Sequence, residues 1–301
     1  MQHRAAVFFC TDGTMIRIAL PNKGRLAEAA RDLLERAGLA FDITSERALQ
    51  AALGGDFIAL FVRARDIPEF VADGAADLGI TGRDLVAESR REVETLLDLG
   101  FGRCRIVVAA GDDGAIASLD DVPSGARVAT PFPHVTAAYF ERNAKPITVV
   151  PVSGAAEIAP HLGVADIIVD LVSTGSTLKT NGLREVATVL ESTAVLISRR
   201  ERIDEGDYAR RIAELTTALE SVLRAQDKRY LMANVPRDAL AEIKRILPGI
   251  SGPTIVDVLD GGGHVAAHAV VDSREIYRII AELKAVGAEG ILVTKIERLM
   301  P

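Results

Sequence analysis

Asp166-Ile167-Ile168-Val169-Asp170-Leu171-Val172-Ser173-Thr174-Gly175-Ser176-Thr177-Leu178 holds the residues whose types and spacing best suit chemistry. The apolar run reads as a buried strand ending on the Asp170 carboxylate. Small hydroxyl residues then bend the chain around Gly175, and a short helix is predicted from Ser176. Such a bend leaves backbone N–H groups unpaired and aimed at one point, with hydroxyl donors beside them, which suits a phosphate monoester. Asp170 is spaced to accept hydrogen bonds from sugar hydroxyls or to meet a metal carried by phosphates. Hydroxyl residues also favour ordinary turns and helix caps, so the segment alone leaves both uses open.

Cations gather elsewhere. Lys23, Gly24 and Arg25 follow the strand Ile16 to Leu20 and precede a helix whose apolar residues recur at helical spacing up to Ala37. Two cations beside the positive end of a helix dipole are unfavourable until an anion binds there. Arg63, Arg65 and Arg83 also follow predicted strands, and Arg47 lies in the segment after the first helix. Together they would supply local positive potential that the chain lacks globally, its formal net charge being −7. Asp166 and Glu157 are further carboxylate candidates for ribose hydroxyls or Mg²⁺, with turn and helix-start roles as the alternatives.

The elements that must position these groups alternate between strand and helix, which predicts a mostly parallel sheet covered on both faces. At 301 residues two or three compact units are expected. The reading divides the chain into an N-terminal extension, 1–14, a first lobe from 15–101 and 190–224, and a second lobe, 102–189, with the phosphate loop. Two crossings between lobes imply a cleft at strand C-termini, where such sheets bind ligands. The last part, 225–301, reads βαββαβ, the ferredoxin-like order, and contains no catalytic set. Aromatic content of 4% without Trp, and the negative charge, argue against nucleic acid. No run reaches the roughly 18 apolar residues that span a bilayer, no secretory signal is legible, and Cys10 and Cys104 form no ligand pair. A cytoplasmic protein is expected.

With these residues assembled, the chain resembles the ATP phosphoribosyltransferase family in its long, histidine-regulated form. The resemblance rests on Ile18-Ala19-Leu20-Pro21-Asn22-Lys23-Gly24-Arg25-Leu26, Ala76 through Leu85, Gly163 through Leu183, Tyr230-Leu231-Met232 and Pro253-Thr254-Ile255. It implies a periplasmic-binding-protein-like, two-lobed α/β core followed by an ACT-like module. It also implies transfer of a phosphoribosyl group from phosphoribosyl pyrophosphate to ATP, opening histidine biosynthesis, with Mg²⁺ bound mainly through substrate and Glu157 a possible ligand. By that resemblance Arg25, Arg47 and Asp170 are the expected catalytic residues, and Asp166, Asp170, Ser173, Thr174, Gly175, Ser176 and Thr177 hold phosphoribosyl pyrophosphate. Lys23, Gly24, Arg25, Arg63 and Arg83 hold ATP, while Asn234 and Thr254 contact inhibitory histidine in a homo-oligomer between dimer and hexamer. Leu171 follows Asp170 where common phosphoribosyltransferases carry a second acid, which sets this chain apart from them. A non-catalytic two-lobed binding protein and an amino-acid-sensing regulator are the alternatives.

Overall fold

The structure is a computed structural model and describes residues 15–42, 48–112, 114–204, 206–259 and 262–300. The expected extension, 1–14, and the candidate Arg47 lie outside the described residues. The chain divides into two compact units, the first running to Thr216 and the second starting at Thr217.

The first unit opens with β1 (Ile16–Pro21), α1 (Ala27–Arg36), β2 (Phe41–Asp42), β3 (Gln50–Leu53) and β4 (Phe57–Val62). It continues through α2 (Ile67–Ala72), β5 (Leu78–Gly82), α3 (Arg83–Ser89) and β6 (Glu94–Asp98). Next come β7 (Cys104–Gly111), β8 (Ala126–Thr130), α4 (Pro133–Arg142), β9 (Ile147–Pro151), β10 (Ile167–Val172), α5 (Ser176–Thr180) and β11 (Leu183–Ser192). β12 (Ala194–Ser198), α6 (Arg200–Ile203) and α7 (Gly206–Ala225) follow, the last crossing into the second unit.

Two sheets result among the described residues. One has the order β2-β3-β4-β1-β5-β12-β6, the other β11-β7-β10-β8-β9. β1 pairs parallel with both β4 and β5, and β8 pairs parallel with both β9 and β10. These strands are covered on both faces, so they read as continuous apolar runs: Ile18, Ala19 and Leu20 in β1, and Ile167, Ile168 and Val169 in β10, are fully buried. The chain crosses between the sheets twice, after β6 and between β11 and β12. That is the expected two-lobed, periplasmic-binding-protein-like α/β core.

Several details differ from the sequence reading. The sequence predicts strands Phe41 to Thr44 and Phe57 to Val62 as a pair, but β3, whose residues alternate exposed and buried, lies between β2 and β4. Its composition, Gln-Ala-Ala-Leu, carries little strand propensity. The residues Thr188 to Ile197 predict one strand returning to the first lobe, but they form parts of two strands, because the backbone changes sheets at Thr193. Residues 190–192, assigned to the first lobe, therefore still belong to the second sheet. Glu157 sits in a 3₁₀ turn, Ala156–Ile158, not in a helix.

The second unit contains β13 (Lys228–Pro236), α8 (Leu240–Ile246), β14 (Thr254–Asp257), β15 (His264–Asp272), α9 (Ile276–Ala285) and β16 (Glu289–Lys295). Its sheet order, β14-β15-β13-β16, with every pairing antiparallel, is the ferredoxin-like arrangement of the predicted βαββαβ pattern. Leu231, Ala233, Val235, Val265, Ala267 and Ala269 alternate toward one face. There they pack on Ile243, Ile246, Ile279 and Leu283 of the two helices.

Packing in the first sheet tolerates little change at Gly79. A Cβ added there would stand 2.5 Å from Ile67 Cγ2 and 2.9 Å from Val71 Cγ2 of α2. Gly79→Ala is expected to destabilise the first unit by about 2 kcal/mol through overpacking, read as a lowered thermal midpoint.

Candidate active site

Parallel pairing decides where the site forms. Because β1, β4 and β5 run the same way, the segments that follow them emerge on one edge, bringing Lys23, Arg25, Arg63 and Arg83 there together. β8 and β10 likewise bring Pro131 and the Ser173–Thr177 bend to a common edge of the second sheet. Arg65 connects the two edges: its Nη2 donates to the Pro131 carbonyl at 3.1 Å.

β10 runs two residues beyond the predicted end, to Val172, so the bend begins at Ser173. Asp170 is thereby placed on a sheet face and not at a strand tip. It shares that face with Ile168 and Val172, which pack against Ala156 and Leu178. Asp170, Ser173, Thr174, Gly175 and Thr177 line a cavity of about 170 Å³ with Glu157. Ser176 joins the group through its hydroxyl, 3.0 Å from that of Thr174. Gly175 turns the chain with φ +81°, a conformation that glycine adopts without strain. Lys179 N–H reaches back to the Gly175 carbonyl at 3.3 Å. By contrast, the N–H groups of Thr174 through Thr177 find no carbonyl among the described residues. Four donors are thereby left without a carbonyl partner, as anion binding requires.

Asp170 has no cation within ion-pair distance among the described residues; its one hydrogen bond comes from Leu171 N–H at 2.7 Å. Burial pushes its carboxyl pKa up, and the nearby Glu157 charge adds to that, against the opposing Leu171 hydrogen bond. Two carboxylates facing one small cavity suit a ligand that brings hydroxyl donors or a cation of its own.

Asp166 does not belong to this group. It precedes β10, about 20 Å of extended chain from the bend. There Arg127 takes it up, with Nη2 to Oδ1 at 2.8 Å and backbone N to Oδ2 at 2.8 Å. Those hydrogen bonds hold its carboxyl below the ordinary range. Spacing in the sequence could not reveal this, because a strand sends its two ends to opposite edges of the sheet.

Across the cleft, Lys23 and Arg63 are exposed and hold no ion-pair partner among the described residues. Gly24 takes φ +87° in the same loop, with nothing near the position of a Cβ. Arg25 is already engaged. Its Nη2 lies 3.3 Å from Asp84 Oδ1, and its Nη1 donates to the Gly102 carbonyl. Arg83 pairs with Asp98 at 3.2 Å, not with the adjacent Asp84. It lines a larger cavity of about 490 Å³ at the crossings, together with Arg103, Arg105, Ser192, Thr193 and Ser173. Ser173 therefore borders both cavities. Reading single residues did not find Asp84 or Ser192; only pairing across 108 positions brings them together.

Comparison with known proteins decides the family. A profile described as ATP phosphoribosyltransferase matches residues 63–221, and one described as HisG, C-terminal domain, matches residues 225–298. The chain is 60% identical over 292 residues to an ATP phosphoribosyltransferase of Gemmatimonas aurantiaca, covering 95% of this chain and 100% of that protein. The chain belongs to the ATP phosphoribosyltransferase family. Its likeness to the ATP phosphoribosyltransferase of Methanocaldococcus jannaschii is 44% over 288 residues, with 95% of this chain and 100% of that protein covered. Among solved structures, the ATP phosphoribosyl transferase (HisG:HisZ) complex from Thermotoga maritima matches at 27% identity with a TM-score of 0.61. That match covers 70% of this chain and 99% of the other.

In the second unit Asn234 and Thr254 both lie on the sheet face opposite the helices, Asn234 half-buried and Thr254 exposed. β15 separates them, with Asn234 opposite Ala266 and Thr254 opposite His268. The strand spacing sets their backbones about 12 Å apart. Tyr230 Oη and His268 Nδ1 are 2.7 Å apart on the same face.

The fold disfavours ionised Asp170, so its contribution to stability is fullest with the carboxyl protonated. It is lost as pH rises from about 4 through the raised pKa. Asp170→Asn is expected to raise the thermal midpoint at pH 7, with the gain shrinking toward pH 4. Melting curves across that range check the sign.

Proposed function

We propose that this protein transfers the phosphoribosyl group of phosphoribosyl pyrophosphate to N1 of the adenine of ATP, releasing pyrophosphate in the first step of histidine biosynthesis. The observation that carries the reading is the bend after β10. There, unpaired backbone N–H groups and the hydroxyls of Ser173, Thr174, Ser176 and Thr177 surround a small cavity beside an aspartate with no cation of its own.

In this reading the bend holds the 5-phosphate, with Gly175 allowing the backbone to approach it, and Asp170 accepts hydrogen bonds from the ribose hydroxyls. Those hydroxyl donors offset the desolvation that the buried carboxylate suffers when the cavity is empty of substrate. Lys23, Gly24, Arg25 and Arg63, on the facing edge, receive the ATP phosphates and the departing pyrophosphate, and Arg83 borders the same space. Arg47 keeps its proposed place on the leaving group. N1 of neutral adenine bonds to C1 as the C1–oxygen bond breaks, with the bonding pair leaving on pyrophosphate and the configuration at C1 inverted. Adenine N1 already carries a lone pair, so no general base is required. The residues contribute alignment of two polyanions and neutralisation of the one that leaves.

No group of three or more metal-ligating side chains occurs among the described residues. Asp170 and Glu157 on one cavity nevertheless fit a divalent ion carried in on the substrate. Mg²⁺, held mainly by the pyrophosphate with Glu157 nearby, would neutralise charge on that leaving group. We further propose a cytoplasmic location, in keeping with the absence, among the described residues, of any helix long and apolar enough to cross a membrane. Assembly as a homo-oligomer, between dimer and hexamer, through the second unit completes the reading, with histidine as inhibitor near Asn234 and Thr254.

Protein mixed with ATP, phosphoribosyl pyrophosphate and Mg²⁺ is expected to release pyrophosphate while a near-UV-absorbing adenine adduct forms. Folded protein that forms no adduct overturns the reading. Thr174→Ala is expected to raise KM for phosphoribosyl pyrophosphate about tenfold, and Asp170→Asn to cut kcat about a hundredfold, in steady-state assays. Histidine at millimolar concentration is expected to lower turnover of the wild type, and activity that stays flat removes the regulatory part.

A further inference from the structure

Asp84 is buried to 1% exposure, yet it is a carboxylate, and two distant segments of the first unit reach it, one of them tied in turn to a third. Ser192 Oγ, at the end of β11, donates to its Oδ1 at 2.6 Å, and Asp84 N–H donates back to the same Oγ at 3.0 Å. Arg25 Nη2, from the loop after β1, stands 3.3 Å from Oδ1 and 3.5 Å from Oδ2. Arg25 Nη1 meets the carbonyl of Gly102, which belongs to the first crossing. Ser192 immediately precedes the second crossing at Thr193. One guanidinium is thus tied to both strands of chain that join the two sheets.

The surrounding backbone leaves room for this group and for nothing larger. A Cβ at Gly82 would fall 2.1 Å from Asp84 Oδ1, and one at Gly102 would fall 3.1 Å from Arg25 Nη1 and 2.2 Å from Leu26 Cδ2. Ser192 and Cys104 face the 490 Å³ cavity at the crossings, which also reaches Ser173. The cluster therefore borders that cavity through Ser192. Its carboxylate is rigidly held by Ser192, but it holds Arg25 only at long range. A tight two-pronged pair would withdraw the cation from substrate, whereas this looser one aims it and leaves hydrogen-bonding capacity on the guanidinium.

We propose that Asp84 is a positioning residue for the transferase reaction, fixing the Arg25 guanidinium at the junction of the two crossings so that it meets the departing pyrophosphate. Ser192 orients the carboxylate that does this. The inference rests on the phosphoribosyl-transfer reading and on Arg25 acting at the leaving group. When Asp84 is changed, Arg25 keeps its charge for the ATP phosphates and loses only its aim at the leaving group, which alters kcat and leaves ground-state binding nearly unchanged.

The test is a double-substitution cycle on the full chain, assayed with ATP, phosphoribosyl pyrophosphate and Mg²⁺, with a thermal melt for each variant. Asp84→Asn keeps an acceptor for Ser192 but loses the charge. It is expected to lower kcat about tenfold with each KM within about twofold of wild type. Arg25→Ala is expected to lower kcat at least as much and also to lower the thermal midpoint, because it leaves a buried carboxylate unpaired. The double variant should recover that midpoint and show no further loss of kcat. Ser192→Ala, which leaves both charges in place, should cost kcat about threefold and cost nothing further in the Arg25→Ala background. Losses of kcat that multiply between Asp84 and Arg25 overturn the inference while leaving the transferase reading intact. So does folded Asp84→Asn protein with wild-type kcat, or, should Asp84→Asn not fold, Ser192→Ala protein with wild-type kcat. Wild-type protein that makes no adduct sinks the transferase reading, and the inference with it.

Discussion

Parallel hydrogen bonding between β1, β4 and β5, and again between β8, β9 and β10, is the constraint on which the first unit depends. Strands paired this way must deliver every following segment to the same edge, whatever the segments contain. The loops are then free to carry cations on one sheet and hydroxyl groups on the other, since neither has to hold the fold together. The apolar interior of β1 and β10 supplies that stability. A chain with net charge −7 can in this way present a local basic edge to polyanions.

Charge on the two edges is treated differently. On the second sheet Asp170 stands half-buried without a cation, and the fold disfavours its ionised form. On the first, Lys23 and Arg63 are solvated, while Arg25 is held by Asp84 of α3 and Arg83 by Asp98 at the end of β6. Interactions that are unfavourable or loose before substrate arrives are those that binding can improve, so the unit keeps its strain where the ligand would relieve it. Asp166 illustrates the opposite case: its carboxylate is already paired with the Arg127 guanidinium and backbone N–H.

The second unit separates its two tasks by face. Alternation along β13 and β15 sends Leu231, Ala233, Val265 and Ala267 toward the helices. The opposite face is left to Tyr230, Met232, Asn234 and His268. Leu292 and Val256 add exposed apolar area on that open side, which is the composition of a surface awaiting a ligand or another chain.

Much of this was legible in the residues. Period and turn chemistry located β1, α1, β5, β10 and the complete βαββαβ order of the second unit, because apolar alternation and Gly stops are local signals. Motifs in sequence order identified the family, and the Ser173–Thr177 bend lies at a strand end, as its composition implied. The short β3 escaped, since Gln-Ala-Ala-Leu takes its strand form only from the neighbours it pairs with. The change of sheet at Thr193 escaped too, because Glu191-Ser192-Thr193, where one strand gives way to the next, includes no Gly or Pro to mark it. Which carboxylate answers which arginine is not a local property at all. Asp84 passes over its neighbour Arg83 for Arg25, and Ser192 arrives from 108 residues away. Sequence determined which groups would follow which strands; only the tertiary structure decided which of them meet, because hydrogen bonds and ion pairs depend on distance in space, which packing sets.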